Sequence, residues 1–339
     1  MPRKTRVAPE DDDAGDALAL SPSSPSALTD LTAPALVRWS GERAAMRTTE
    51  FLTATIRNPH TRRAYARAVE RFARWCAARR LPLASLRSVH VAAYIEALGK
   101  ELSPVSVKQH LSALKHWLDA LVVGHVLETN PAHAVRGPRY SQTEGKTPVL
   151  ERDEVRALLL SIGEEEVIDL RDRALIGTML FSFARVGALV RMRVRDYRHP
   201  GTSRAAFVLH EKGGKHHPVP AHHLAGELVD AYLDAAGLWR KKEAPLWQSA
   251  PGRGRQLSGV AVTERGVLDI LKRRCAAAGL PPDICNHSFR ATGITLHQDA
   301  GGDLEAARQL AGHASVKTTQ LYNRSGDRKR RAEVERIQL

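Results

Sequence analysis

The sequence predicts a mainly α protein with a small β-hairpin or sheet, in two domains: a helical one, then an α+β one. Three observations predict it. Apolar residues recur at helical spacing in long stretches of the first 129 residues. A proline- and glycine-containing stretch, 130–148, lacks any apolar period and reads as a linker. Beyond it, one short segment has β character among further helical stretches. At 339 residues the chain is long enough for two hydrophobic cores.

Residues 1–44 carry the acidic run EDDDAGD and the stretch SPSSPSALTD, with little to bury, and are expected to be a disordered tail. Residues 45–129 are expected to form the helical domain. In TRRAYARAVERFARWCAAR, Tyr65, Val69, Phe72 and Cys76 make one stripe, and Arg62, Arg63, Arg67, Arg71 and Arg74 take the polar side. SVHVAAYIEALGK reads as a second helix with Ser88 as its N-cap. SPVSVKQHLSALKHWLDALVVG reads as a third. Ser103 caps it, Pro104 opens it, Gly124 stops it, and Val107, Leu111, Leu114, Leu118 and Leu121 form its stripe. Lys108 and Lys115 lie seven apart on its polar side.

After the 130–148 linker, the α+β domain is expected over 149–339, C-terminal tail included. It opens with the amphipathic LERDEVRALLLSI. DLRDRALIGTMLFSFARVGALVRM reads as a buried helix, a break and a short helix. AAFVLHEKGGKHHPVPA reads as a β-hairpin turned at Gly213 and Gly214, with Lys212 and Lys215 at its tip. TERGVLDILKRRCAAAG, NHSFRATGITLHQDAG and DLEAARQLAGHAS read as helices, the last stopped by Gly312. Ser315 is placed to cap a final helix carrying Tyr322.

Lys and Arg number 51 against 37 Asp and Glu, a formal net charge of +14. That balance favours a polyanionic partner, nucleic acid first. A membrane is not expected, because no apolar run approaches the roughly 20 residues that a spanning helix needs. No signal-peptide pattern is present either. Cys76, Cys275 and Cys285 are scattered and odd in number, which fits a reducing cytoplasm and not a disulfide framework. Five histidines, His210, His216, His217, His222 and His223, crowd into fourteen residues. No cysteine stands near them, so extra DNA contacts are the preferred reading and no metal site is expected.

Tyr322 taken alone is an ordinary partly buried aromatic. Its surroundings suggest more. A tyrosine hydroxyl attacking a phosphodiester needs fixed cations against the phosphate oxygens, where charge develops. Arginine suits this, because its planar fork binds phosphate bidentately and keeps its charge. The leaving oxygen needs a proton, which a lysine or histidine can give. Arg185 after an apolar helix, Lys212 in the hairpin, His287 and Arg290 at i and i+3, and His313 nine residues before Tyr322 supply these groups.

In this order the residues resemble the tyrosine recombinases, the family of the phage integrases. The matching motifs are Arg185 in ARVGAL, Lys212 in EKGGKHHPVP, His287 and Arg290 in HSFR, His313 in LAGHAS, and Tyr322 in TTQLYNR. The helices of TRRAYARAVERFARWC and SPVSVKQHLSALKHWL, followed by NPA, are similar to the family's core-binding domain, so the resemblance covers about 45–325. It implies a core-binding domain followed by a catalytic domain, the two clamping a duplex. It further implies a nucleophilic Tyr322, phosphate held by Arg185, Arg290, His287 and His313, Lys212 as the acid, and no cofactor. Arg62, Arg63, Arg67, Lys108, Lys115 and Lys215 are the candidate DNA contacts. The expected partners are double-stranded recombination sites, joined by four protomers. The cell compartment expected is the cytoplasm, with the nucleoid when DNA is bound. One position departs from the family: Ala188 stands where many members carry an acid, and Glu211 and Asp196 are both candidates to hold Arg185 in its place. An inactive DNA-binding relative and a type IB topoisomerase are the alternatives.

Overall fold

The computed structural model describes residues 41–140, 145–198, 205–211, 214–250, 256–322 and Val334. The chain divides into two compact units, 1–141 and 142–339.

The first unit is helical. Helix α1 (Glu42–Glu50) runs into a single π-helical turn, Phe51–Thr55. The sequence predicts a tail to residue 44, yet α1 begins at Glu42. Ala44 and Thr48 are buried, and Thr48 Oγ1 accepts the indole N–H of Trp117 at 3.0 Å, so this segment belongs to the core. Helix α2 (Pro59–Ala77) is capped by Asn58, whose side chain accepts from His60 N and Thr61 N. Val69, Phe72 and Cys76 of its stripe are fully buried. Helix α3 (Ser88–Gly99) begins at the expected cap, so its N-cap lies one residue earlier. Arg87 is the N-cap, because His90 Nδ1 accepts the Arg87 amide at 3.2 Å. Helix α4 (Pro104–Val123) has Ser103 as cap, and its whole predicted stripe is buried. The expected linker starts late: Asn130 donates to Lys115 O and Asp119, and Ala132 and Val135 fill the core of this unit.

The second unit packs helices around a three-stranded antiparallel sheet of order β1-β2-β3. Its elements run α5 (Arg152–Leu160), α6 (Val167–Ser182), α7 (Val186–Leu189), β1 (Tyr197–Arg198), β2 (Ala206–His210) and β3 (His216–Pro220). They continue as α8 (His223–Ala235), α9 (Glu264–Ala277), α10 (Asn286–Asp299), α11 (Leu304–Leu310) and α12 (Val316–Gln320). The predicted hairpin is β2–β3, closed by the Glu211 amide on Lys215 O at 2.8 Å; β1 adds a strand the sequence did not suggest. Helix α8, also unanticipated, packs along α6, where a Cβ on Gly177 would meet Leu228.

One charge network ties α6 and α9 together in this unit. Asp172 of α6 is wholly buried and accepts from Arg171 Nε (3.0 Å), Arg274 Nε (2.8 Å) and Arg273 Nη2 (2.9 Å). Arg171 also donates to Gln248 O at 2.8 Å, and Arg274 to Asp169.

Candidate active site

Local backbone brings the predicted residues together. Helix α6 ends at Phe183 in the left-handed region, φ 52, which costs a non-glycine residue about 1 kcal/mol. That turn ends the helix and leaves Arg185 as the N-cap of α7. Helix α10 crosses the same end closely. A Cβ on Gly293 would run into Leu180 O and the Phe183 ring, so only glycine fits. One turn earlier on α10, Arg290 therefore meets the α6 terminus.

Arg290 is 1% exposed. It donates to Phe183 O, Ala311 O and, at 2.6 Å, His313 Nε2. Among the described residues none of its bonds goes to a carboxylate, and its Nε has no partner. Burial, then the neighbouring Arg185 charge, lowers its pKa to about 10, so it keeps its proton at neutral pH. A buried cation bonded only to neutral groups is costly. It makes the cavity a place where an anion gains energy.

Arg185 is partly open, with its side chain 40% exposed, and Nη1 donates to Glu211 Oε2 at 2.8 Å. Glu211 therefore holds Arg185 where Ala188, itself buried, cannot. Asp196, the other candidate, is engaged elsewhere: it accepts the Arg193 amide at 2.8 Å and lies 2.9 Å from His210 Nε2. His287, on the exposed rim of α10, is held below the ordinary imidazole pKa by desolvation of its inner side, then by Arg290 and Arg185.

The LAGH segment is a helix-ending motif. Gly312 adopts φ 59; its amide donates to Gln309 O and the His313 amide to Arg308 O, both at 3.0 Å. Arg308 Nη1 closes back onto His313 O at 2.7 Å. His313 is thereby turned inward, 3% exposed, with Nδ1 2.9 Å from Thr319 Oγ1. Burial and the Arg290 charge push its pKa down to about 3, so the ring is neutral. Tyr322 does not lie on the last helix as expected. Helix α12 stops at Gln320, and Tyr322 follows in a turn, its amide on Thr319 O and its carbonyl accepting from Thr295 Oγ1, both at 3.0 Å. Its ring stacks on His313 at 5.5 Å between centroids and lies 5.8 Å from the Arg290 guanidinium carbon.

Arg185, His287, Arg290, His313 and Tyr322 are thus one cluster, joined by Glu211 and Thr319, which sequence reasoning left undecided or missed. Lys212 lies outside the described residues. Lys215 is exposed just before β3. Among the candidate DNA contacts, Arg62 departs from expectation: it donates to Ile56 O and Thr53 O, capping the carbonyls that the π-turn leaves open. Arg63 and Arg67 remain exposed, and Arg67 lines a groove with Arg71, Arg74, Gln109 and His110. Lys108 is exposed, while Lys115 Nζ donates to His133 O at 3.2 Å. The histidines have other partners: His217 Nε2 is 3.0 Å from Leu310 O, and His222 caps α8 while stacking on Phe181 at 4.1 Å. Among the described residues no helix is long and apolar enough to cross a membrane.

Comparison with known proteins adds three findings. The phage integrase family profile matches residues 148–329, and the phage integrase N-terminal SAM-like domain matches 49–123. The tyrosine recombinase XerC of Pelobacter propionicus is 30% identical over 269 residues, covering 78% of this chain and 84% of that one. The XerC of Myxococcus xanthus is 29% identical over 271 residues, covering 78% and 87%. Among solved structures, XerH site-specific recombinase bound to a palindromic difH substrate superposes with a TM-score of 0.65 at 19% identity, covering 86% of this chain and 82% of that one. A lambda integrase dimer bound to a COC′ core site superposes with a TM-score of 0.61 at 18% identity, covering 86% and 77%.

Proposed function

The chain belongs to the phage integrase family and is a tyrosine-type site-specific DNA recombinase; from that premise we propose that Tyr322 is its nucleophile and the Arg290 cavity its phosphate site. The Tyr322 hydroxyl oxygen bonds to the phosphorus, the bond to the 5′-oxygen breaks, and a 3′-phosphotyrosyl link remains. The Tyr322 proton passes to a base, for which His287 is suited: it is neutral at physiological pH and beside both arginines. Arg185 and Arg290 neutralise the phosphate oxygens, with His313 beside them. Lys212 protonates the leaving 5′-oxygen. The phosphoryl bond energy stays in the link, so the 5′-hydroxyl of another strand rejoins the backbone without ATP.

The observation that carries this reading is the Arg290 guanidinium under the Tyr322 ring, which bonds no carboxylate among the described residues. Four protomers on two duplex sites are the proposed assembly, with Arg63, Arg67, Lys108 and Lys215 on the DNA. The same reading puts the protein in the cytoplasm, at the nucleoid when DNA is bound. The test is a nicked duplex that traps the covalent intermediate, built on inverted repeats sought by sequencing the DNA that flanks the gene. Wild-type protein forms the adduct in excess EDTA, and Tyr322→Phe binds the duplex but forms none. Adduct from Tyr322→Phe would move the nucleophile elsewhere.

A further inference from the structure

We propose that Thr319 is a positioning residue that sets which ring nitrogen of His313 carries the proton, and exchanges it when a phosphate enters. The inference rests on the phosphate-site reading above. His313 Nε2 lies 2.6 Å from Arg290 Nη2. A guanidinium has donors only, so Nε2 must offer its lone pair. The proton of the neutral ring therefore sits on Nδ1, which donates to Thr319 Oγ1 at 2.9 Å. Without DNA, His313 has no hydrogen to give a phosphate.

A phosphate in the cavity changes what Nε2 faces. It draws off the Arg290 hydrogen and places an acceptor oxygen near a nitrogen lone pair. The conflict is removed if Nδ1 gives its proton to solvent and Nε2 takes one from solvent, the ring staying neutral. Nε2–H then donates to the phosphate, and Nδ1 must find a donor. Thr319 can be that donor, because a hydroxyl both accepts and donates and needs only to rotate. It is fully buried, and among the described residues His313 is the partner found for Oγ1. Valine has the same shape and can do neither.

The hydroxyl also links two events. Thr319 sits on α12, and its carbonyl accepts the Tyr322 amide. His313 is therefore set for the phosphate only while the segment bearing the nucleophile is docked.

The full chain labelled with ¹⁵N-histidine and ¹⁵N-arginine tests this, with orthovanadate as the phosphate probe. Free wild-type protein shows His313 protonated at Nδ1; saturating vanadate moves the proton to Nε2. Thr319→Ser repeats the exchange, and Thr319→Val does not. On the nicked duplex, Thr319→Val forms adduct about tenfold more slowly, roughly the worth of one hydrogen bond to a polarised group, and Thr319→Ser stays near wild type. An unchanged tautomer in wild type with vanadate bound overturns the proposal, and this needs no variant to fold. Exchange persisting in Thr319→Val overturns it too. If vanadate leaves the Arg290 side-chain resonances unmoved, the phosphate-site reading fails and this proposal with it; an adduct trapped at Tyr322 would still stand.

Discussion

Among the described residues of the second unit, two arginine clusters with buried centres are built on opposite plans. Around Asp172, three arginines converge on one wholly buried carboxylate, with Asp169 and Gln248 O taking further donors. Around Arg290, one guanidinium is equally buried but, among the described residues, bonds two carbonyls and a neutral imidazole and no carboxylate. The first cluster contains its own counter-charge and is closed. The second leaves a cation waiting for an anion from outside. Burial and charge alone do not separate a brace from a binding site; the presence of the carboxylate does.

The comparison breaks most visibly at Asp172. Asp172→Ala leaves the buried Arg171 without a carboxylate and Arg274 with Asp169 alone, and should cost about 3–5 kcal/mol of stability. Chemical denaturation measures it; a loss under 1 kcal/mol would show that the network does not brace the unit. Arg290→Ala should act the other way round. Adduct formation should fall by about 10²–10³-fold, as for other single transition-state donors, while the unfolding midpoint falls less than in Asp172→Ala. Single-turnover trapping and a melt on the same samples decide it.

Glu211→Gln sharpens the contrast from inside the site. Its carboxylate orients Arg185 by one charged bond of 2.8 Å. Losing the charge should slow cleavage about tenfold with little change in DNA affinity, in keeping with about 1.5 kcal/mol for one charge-assisted bond. Equal losses in binding and cleavage would make Glu211 a plain structural residue.

The smallest effect concerns acid. The folded His313 pKa, about 3, lies below the ordinary imidazole value of 6.5. The unfolded chain thus binds the extra proton first. The stability due to the neutral buried ring is complete above about 6.5 and declines as pH falls towards 3. From pH 7 to 5.5 the expected loss is about 1 kcal/mol. His313→Gln should flatten that part of the stability profile; an unchanged slope would assign the acid sensitivity to other groups.

Much of this architecture was legible in the chain. Helices α2 and α4 carry full apolar periods and strong caps, Asn58 and Ser103, so local rules sufficed. The cluster was legible because Arg185, His287, Arg290, His313 and Tyr322 stand in a recognisable order. What stayed hidden depends on partners far apart in sequence. The sequence left Glu211 and Asp196 both open as partners of Arg185, and only packing across 26 residues selects Glu211. Helix α8 begins from a histidine cap, His222, stacked on Phe181 of another helix. Arg62 looked like part of a basic face, but an irregular turn upstream left carbonyls for it to satisfy. Ala132 and Val135 read as linker, because their burial comes from packing and not from any local period.

The short helix α12 also acts as a ruler. Between the glycine turn that aims His313 and the turn that presents Tyr322 stand one cap and five helical residues. A helix rotates its side chains by about 100° per residue. One inserted or deleted residue would therefore swing the phenol out of the stack with His313 while leaving every named side chain in the sequence. Between positions 313 and 322, length itself is the specified quantity. An aligned set of residues would report such a chain as intact when its geometry was not.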